Sequence, residues 1–176
     1  MFRGEKTLLR SYEKADIAKA HQLFNDFEVQ KYLNSGIIMP FSLQDEEKHI
    51  ESLNRERGYF FAIDTLEGVY IGGCGGFEHD KKSDTIFVGI AIANKEYWGG
   101  GYGTDAMKVL LKFLFQEVNV RKVLLKVFSY NERGIRCYRK LGFVEEGRLK
   151  EQYYRDGGYF DEIIMSLFRK EYKFLE

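Results

Sequence analysis

The sequence predicts an α+β domain, and three observations carry that prediction. Apolar residues recur with helical spacing up to about residue 57, alternate from about residue 59, and return to helical spacing after residue 104. The alternating part contains three runs, 59–64, 69–78 and 85–93, joined by short polar links as in an antiparallel meander. A glycine-rich segment then leads from a strongly apolar run into a strongly amphipathic one.

Each element follows in order. Residues 6–12 alternate weakly and read as a first strand. Asp16 opens an amphipathic stretch through Phe27, and a second helical piece covers 29–33. Pro40 is the only proline. Ser42 and Asp45 have capping-box spacing, although Glu or Gln is the usual reciprocal partner. The helix they start is expected to run to about residue 57, with Leu43, Ile50 and Leu53 turned inward. After the meander, the 104–117 segment places Ala106, Leu110, Phe113 and Leu114 on one helical face. Residues 120–127 form a buried strand and 131–141 a helix closed by Gly142. Residues 143–154 and 159–168 form a last hairpin across Arg155-Asp156-Gly157-Gly158. No repeat or linker interrupts the chain, so 1–176 reads as a single domain.

Composition excludes several functions. The 176 residues are 44% apolar, enough for a core and too aromatic for disorder. Lys+Arg and Asp+Glu both number 27, so no basic surplus marks a nucleic-acid binder. A basic cluster, Arg133, Arg136, Arg139 and Lys140, is either a solvated helix face or a set of phosphate contacts. Cys74 and Cys137 lie far apart, and His21, His49 and His79 form no ligand cluster, so neither a disulfide framework nor a metal site is expected. No apolar run reaches the ~18 residues of a membrane span, and the N-terminus lacks a signal core. A reducing, cytoplasmic setting fits these features.

The chemistry gathers at Trp98-Gly99-Gly100-Gly101-Tyr102-Gly103-Thr104. Glycine lets backbone approach a ligand and take positive φ. The first turn of the following helix has unpaired amides and partial positive charge, which together suit a phosphate. The Walker A pattern is absent, because no Gly-Lys-Ser/Thr follows. Gly101-Tyr-Gly103-Thr-Asp-Ala106 fits a dinucleotide fingerprint. Its mid-chain position after antiparallel strands, and the lack of an acid at the next strand's tip, argue against that use.

The segment from Ile90 to Ala106 resembles the acetyl-CoA motif of the GCN5-related N-acetyltransferases. Asn131-Glu-Arg-Gly-Ile-Arg-Cys-Tyr-Arg-Lys-Leu-Gly-Phe143 resembles their second cofactor motif. The ending from Glu145 to Glu162 is similar to the bacterial branch of ribosomal-protein and spermidine acetyltransferases. The resemblance covers about residues 5–170. It implies a three-layer fold with a mixed, mostly antiparallel sheet of about seven strands, splayed after the fourth to hold acetyl-CoA. It also implies cofactor contacts from Ala91, Ile92 and Ala93 on the fourth strand, from Gly99 to Thr104 around the pyrophosphate, and from Asn131, with Tyr138 near the sulfur. Trp98 stands where the family often has Gln or Arg, and Gly100 where it often has Lys or Arg. The second change removes a cation but leaves the amides.

The implied reaction is direct attack of an amine on the thioester. A strand N–H near Ile92 stabilises the carbonyl oxygen, and Tyr138 protonates the leaving thiolate. Asn131 and Tyr138 are seven residues apart, two helical turns, and face the same side. A covalent route through Cys137 or Cys74 lacks a His partner. Glu78 and His79, at the end of the third strand, could serve as a base but read better as turn residues, and neither is placed in the catalytic set. The acidic run Asp45, Glu46, Glu47 and Glu51 is either a polyamine attractor or a solvated face. The acceptor stays open among a protein N-terminal amine, a polyamine, an aminoglycoside and another small amine. A homodimer or higher homo-oligomer rests on the resemblance alone, and a non-catalytic acetyl-CoA sensor is the alternative reading.

Overall fold

The computed structural model describes residues 2–54 and 56–173, so the ends of the expected 1–176 domain lie partly outside it. Seven strands form one sheet in the order β1-β2-β3-β4-β5-β7-β6. They are β1 (Thr7–Arg10), β2 (Gly58–Thr65), β3 (Tyr70–Asp80), β4 (Thr85–Ile92), β5 (Lys122–Phe128), β6 (Val144–Arg155) and β7 (Gly158–Phe168). The helices are α1 (Asp16–Phe24), α2 (Phe27–Gln30), α3 (Leu43–Ser52), α4 (Tyr102–Phe113) and α5 (Glu132–Lys140). Every pairing is antiparallel except β4 with β5.

Alternation along the strands sorts side chains into two layers. Ile86 and Val88 of β4, Val123, Leu125 and Val127 of β5, and Ile163, Met165 and Leu167 of β7 pack under α4 and α5 in the main core. The opposite face carries a smaller cluster of Ala20, Ala62 and Tyr70, flanked by Phe24 and Ile50 from α1 and α3. Arg10 pins this layer to the sheet, reaching Asp16 at 2.7 Å and Asp64 at 2.6 Å.

The single parallel contact positions the site. β4 and β5 pair only at Thr85↔Lys122, Ile86↔Val123 and Phe87↔Leu124. Beyond Phe87 the two strands diverge. The splayed sheet expected from the sequence is therefore present, and the meander β2-β3-β4 matches its expected limits to within two residues.

Two expectations are corrected on α3. The helix ends at Ser52, short of residue 57. Ile50 packs inward as expected, but its buried companion is Glu46, 5% exposed, whereas Leu43 is 50% exposed. Leu43 lies at the first helical position, where the Ser42–Asp45 capping box holds the end of the helix. The acidic run is thus not wholly a solvated face: burial pushes the Glu46 carboxyl above its ordinary range.

Candidate active site

A cleft of about 980 Å³ passes through the splay. Its walls include Gly101, Gly103 and Thr104 at the start of α4, and Asn131 and Tyr138 of α5. They also include Phe24 of α1 and Leu53 just beyond α3, so the cleft runs from one face of the sheet to the other.

Trp98 closes a short 3₁₀ turn, Lys95–Tyr97. Gly101 then takes φ 86, the left-handed region natural to glycine, and becomes the N-cap of α4. No side chain accepts a hydrogen bond at this cap, which leaves first-turn amides facing outward. Ala91, Ile92, Trp98, Gly99, Gly101, Gly103 and Thr104 line the cleft. Gly100 and Tyr102 do not line it; the Tyr102 ring packs edge-on against Tyr97, which does, at 4.9 Å. Ala93 does not line it either. Its amide donates to the Ile71 carbonyl at 2.8 Å, and the residue is buried.

The same bond sets the direction of the β4 edge. Alternate residues of a strand turn their backbone groups to the same neighbour. Ala93 faces β3, and so does Ala91, paired with Gly73. Ile92 faces the other way, into the cleft. Its carbonyl accepts from Trp98 Nε1 at 2.6 Å, which explains what an indole does at this motif position. The indole also carries the guanidinium of Arg133, 3.6 Å from its ring centre. Tyr32 adds a second ring 5.2 Å from the same group. Arg133 on α5 and Trp98 before α4 thus meet across the splay. Burial pulls the Arg133 guanidinium below its ordinary value.

On α5, Asn131 is the N-cap, and its side-chain oxygen accepts from the Gly134 amide at 3.0 Å. Only its amide NH₂ remains for a ligand. Tyr138 follows two turns later, 8% exposed, with Phe143 edge-on to its ring. Its hydroxyl has no hydrogen-bond partner among the described residues, and the residue lines the cleft. Burial pushes the phenol well above its ordinary value, so it stays protonated at neutral pH. Cys137 beside it contacts Thr104 Oγ1 at 3.3 Å, linking the two helices. Burial raises both the Cys137 and Cys74 thiols, the wrong direction for a nucleophile.

The far side of the cleft bears carboxylates. Glu162 on β7 alternates with Ile163 and so faces the layer opposite α5. It is 4% exposed, accepts a hydrogen bond from the Tyr153 hydroxyl, and lies 3.4 Å from Lys126 Nζ. Glu78 also lines the cleft, at a bulge of β3 where its φ is 51. Glu162 was not identifiable as a site residue from local sequence, and Arg133, one of the basic cluster on α5, lies over the Trp98 and Tyr32 rings, partners distant along the chain. Among the described residues no group of His, Cys, Asp and Glu could hold a metal ion, and no helix is long and apolar enough to cross a membrane.

Comparison with known proteins decides the family. Residues 6–144 match the model of the acetyltransferase (GNAT) domain. The chain belongs to the GNAT acetyltransferase family. It is an acetyl-CoA-dependent N-acetyltransferase in class. The spermidine N(1)-acetyltransferase of Escherichia coli (strain K12) is 32% identical over 166 residues, covering 93% of this chain and 87% of that protein. An N-acetyltransferase derived from the SPbeta prophage of Bacillus subtilis (strain 168) is 29% identical over 171 residues, covering 97% and 94%. The crystal structure of spermidine N-acetyltransferase from Vibrio cholerae in complex with CoA and spermine superposes with a TM-score of 0.84 at 24% identity, covering 97% of this chain and 98% of that one. That likeness establishes the same fold for this GNAT domain.

Proposed function

We propose that the protein acetylates a polyamine-like acceptor carrying more than one cationic amine, using acetyl-CoA bound in the splay. The observation that carries this reading is the cleft itself: bare α4 amides and Tyr138 lie on one side and Glu162 on the other, with Glu78 also on its wall. The spermidine acetyltransferases among its relatives support the same acceptor class.

Acetyl-CoA supplies the activated thioester. In this reading the amides around Gly101 and Gly103 hold its diphosphate. The Asn131 NH₂ donates to the pantetheine arm, and the Ile92 amide, turned into the cleft, faces the thioester oxygen and stabilises negative charge there. Tyr138 gives its phenolic proton to the departing sulfur. Glu162 and Glu78 draw ammonium groups of the acceptor into the far side, which orients one amine toward the thioester.

The test is release of coenzyme A thiol during incubation with spermidine, a simple monoamine and a peptide with a free N-terminus. Spermidine is expected to have the highest kcat/KM, and Glu162→Gln is expected to raise the spermidine KM more than the monoamine KM. Preference for the peptide or monoamine would remove the polyamine assignment. Binding of acetyl-CoA with no thiol release from any amine would leave a sensor instead.

A further inference from the structure

The phosphate-facing loop has no cationic side chain of its own, since Gly100 stands where a lysine or arginine is common in the family. The structure brings one from the other end of the chain. Asp105, in the first turn of α4, is 7% exposed. Its carboxylate accepts from the amides of Glu5 at 3.0 Å, Lys6 at 3.0 Å and Thr7 at 2.9 Å, and from Thr7 Oγ1 at 2.7 Å. Four donors on one buried carboxylate fix the backbone that enters β1. A side chain on Gly4 would overlap that carboxylate, so the approach is closed to anything larger than glycine.

The clamp sends the Lys6 side chain along the loop. Its Cε and Cδ lie 3.7 and 3.9 Å from where a Cβ on Gly101 would sit. Its ammonium stands 5.5 Å from the centre of the Tyr102 ring. No carboxylate pairs with it among the described residues, and the ammonium is exposed. The Lys6 stem thus borders Gly101 at the start of α4, with no anion paired to its ammonium, and a cation next to a helix start is an arrangement that a diphosphate completes.

We infer that Lys6 is a coenzyme-binding residue that contacts the diphosphate of acetyl-CoA from outside the loop, and that Asp105 is the residue that positions it. This rests on the proposed seat of acetyl-CoA in the splay. The amide of Lys6 makes the bond to Asp105, so changing the side chain leaves the clamp intact.

The test compares two donors in the intact protein, acetyl-CoA and S-acetyl-pantetheine, which lacks the diphosphate and the nucleotide. Lys6→Met is expected to raise the acetyl-CoA KM about fivefold to tenfold with kcat unchanged, the loss of one charge-assisted contact. The S-acetyl-pantetheine KM should not move, and Lys6→Arg should restore the acetyl-CoA value. Asp105→Asn, with its melting temperature measured alongside, should reproduce the donor-selective rise. Unchanged acetyl-CoA KM in Lys6→Met, or an equal rise for both donors, overturns the inference. A wild-type protein that releases no thiol from acetyl-CoA with any amine defeats the underlying reading instead, and the two failures are distinct.

Discussion

Helices α4 and α5 both begin at the cleft, and their first turns are completed in opposite ways. α4 starts from Gly101 in the left-handed region, with no side chain over its amides. α5 starts from Asn131, whose own oxygen takes up the Gly134 amide. The α5 arrangement gives a helix its local stability, typically about 1 kcal/mol for such a cap. The α4 arrangement forgoes that and leaves donors for an anion. On the proposed reading one helix start is a receptor, and the other is a fixed mount for Tyr138. The contrast shows that a missing cap beside a cleft points to a ligand, while a complete cap points to a side chain that must be held still.

Breaking the mounted side should have the largest effect on rate. Tyr138→Phe is expected to lower kcat about 100-fold or more, with the acetyl-CoA KM within about twofold of wild type, read by steady-state kinetics. Equal losses in kcat and coenzyme binding would mean Tyr138 supports the cleft rather than the chemistry. Its raised pKa adds a pH signature. The active form is the protonated phenol, so the activity it supports persists below the raised value and is lost as pH rises through it. The alkaline fall in kcat should lie above the ordinary tyrosine value of about 10. A fall centred at or below that point contradicts the assignment.

Breaking the receptor side comes next. Gly101→Val forces a branched residue into φ 86, which costs about 1–2 kcal/mol, and should raise the acetyl-CoA KM about tenfold while kcat changes little. Thermal melting and kinetics together check both parts. Asn131 then separates its two duties. Asn131→Ala should lose about 1 kcal/mol of stability with the cap. Asn131→Asp keeps an accepting oxygen and should retain the melting temperature, yet lose the NH₂ donor and raise the acetyl-CoA KM a fewfold. If both variants behave alike, the cap is the residue's sole role. The smallest effect belongs to Glu132, which meets Arg136 at 3.2 Å with both side chains largely exposed. Glu132→Gln should shift the melting temperature by no more than about one degree.

What could be read in advance was what repeats along the chain. The alternation of β2, β3 and β4, the glycine run before α4, and the seven-residue interval from Asn131 to Tyr138 are all local patterns, and the structure contains each of them. The Ser42 capping box is local too, and it formed with Asp45 in the reciprocal place. Longer-range consequences were hidden. Ala93 looked like part of an open strand, but which neighbour its amide serves depends on β3, some twenty residues earlier. Leu43 fitted a helical stripe, while the packing of α3 on the sheet turned Glu46 inward instead. The Trp98–Arg133 stack and the Asp105 clamp on residues 5–7 join positions that no spacing rule connects. The residues were visible; their partners were not.

The short pairing of β4 with β5 has a consequence beyond the reaction. Three paired positions close the root of the splay, and past them two strand margins in the middle of the molecule carry unmated peptide groups. Such margins attract foreign strands, which is why proteins usually cover or blunt them. A coenzyme lying there would act as an eighth, non-protein strand, shielding the interior seam from stray pairing. Storage with coenzyme A should therefore protect the protein from aggregation, and it should slow deuterium uptake most at Ile90 and Ile92.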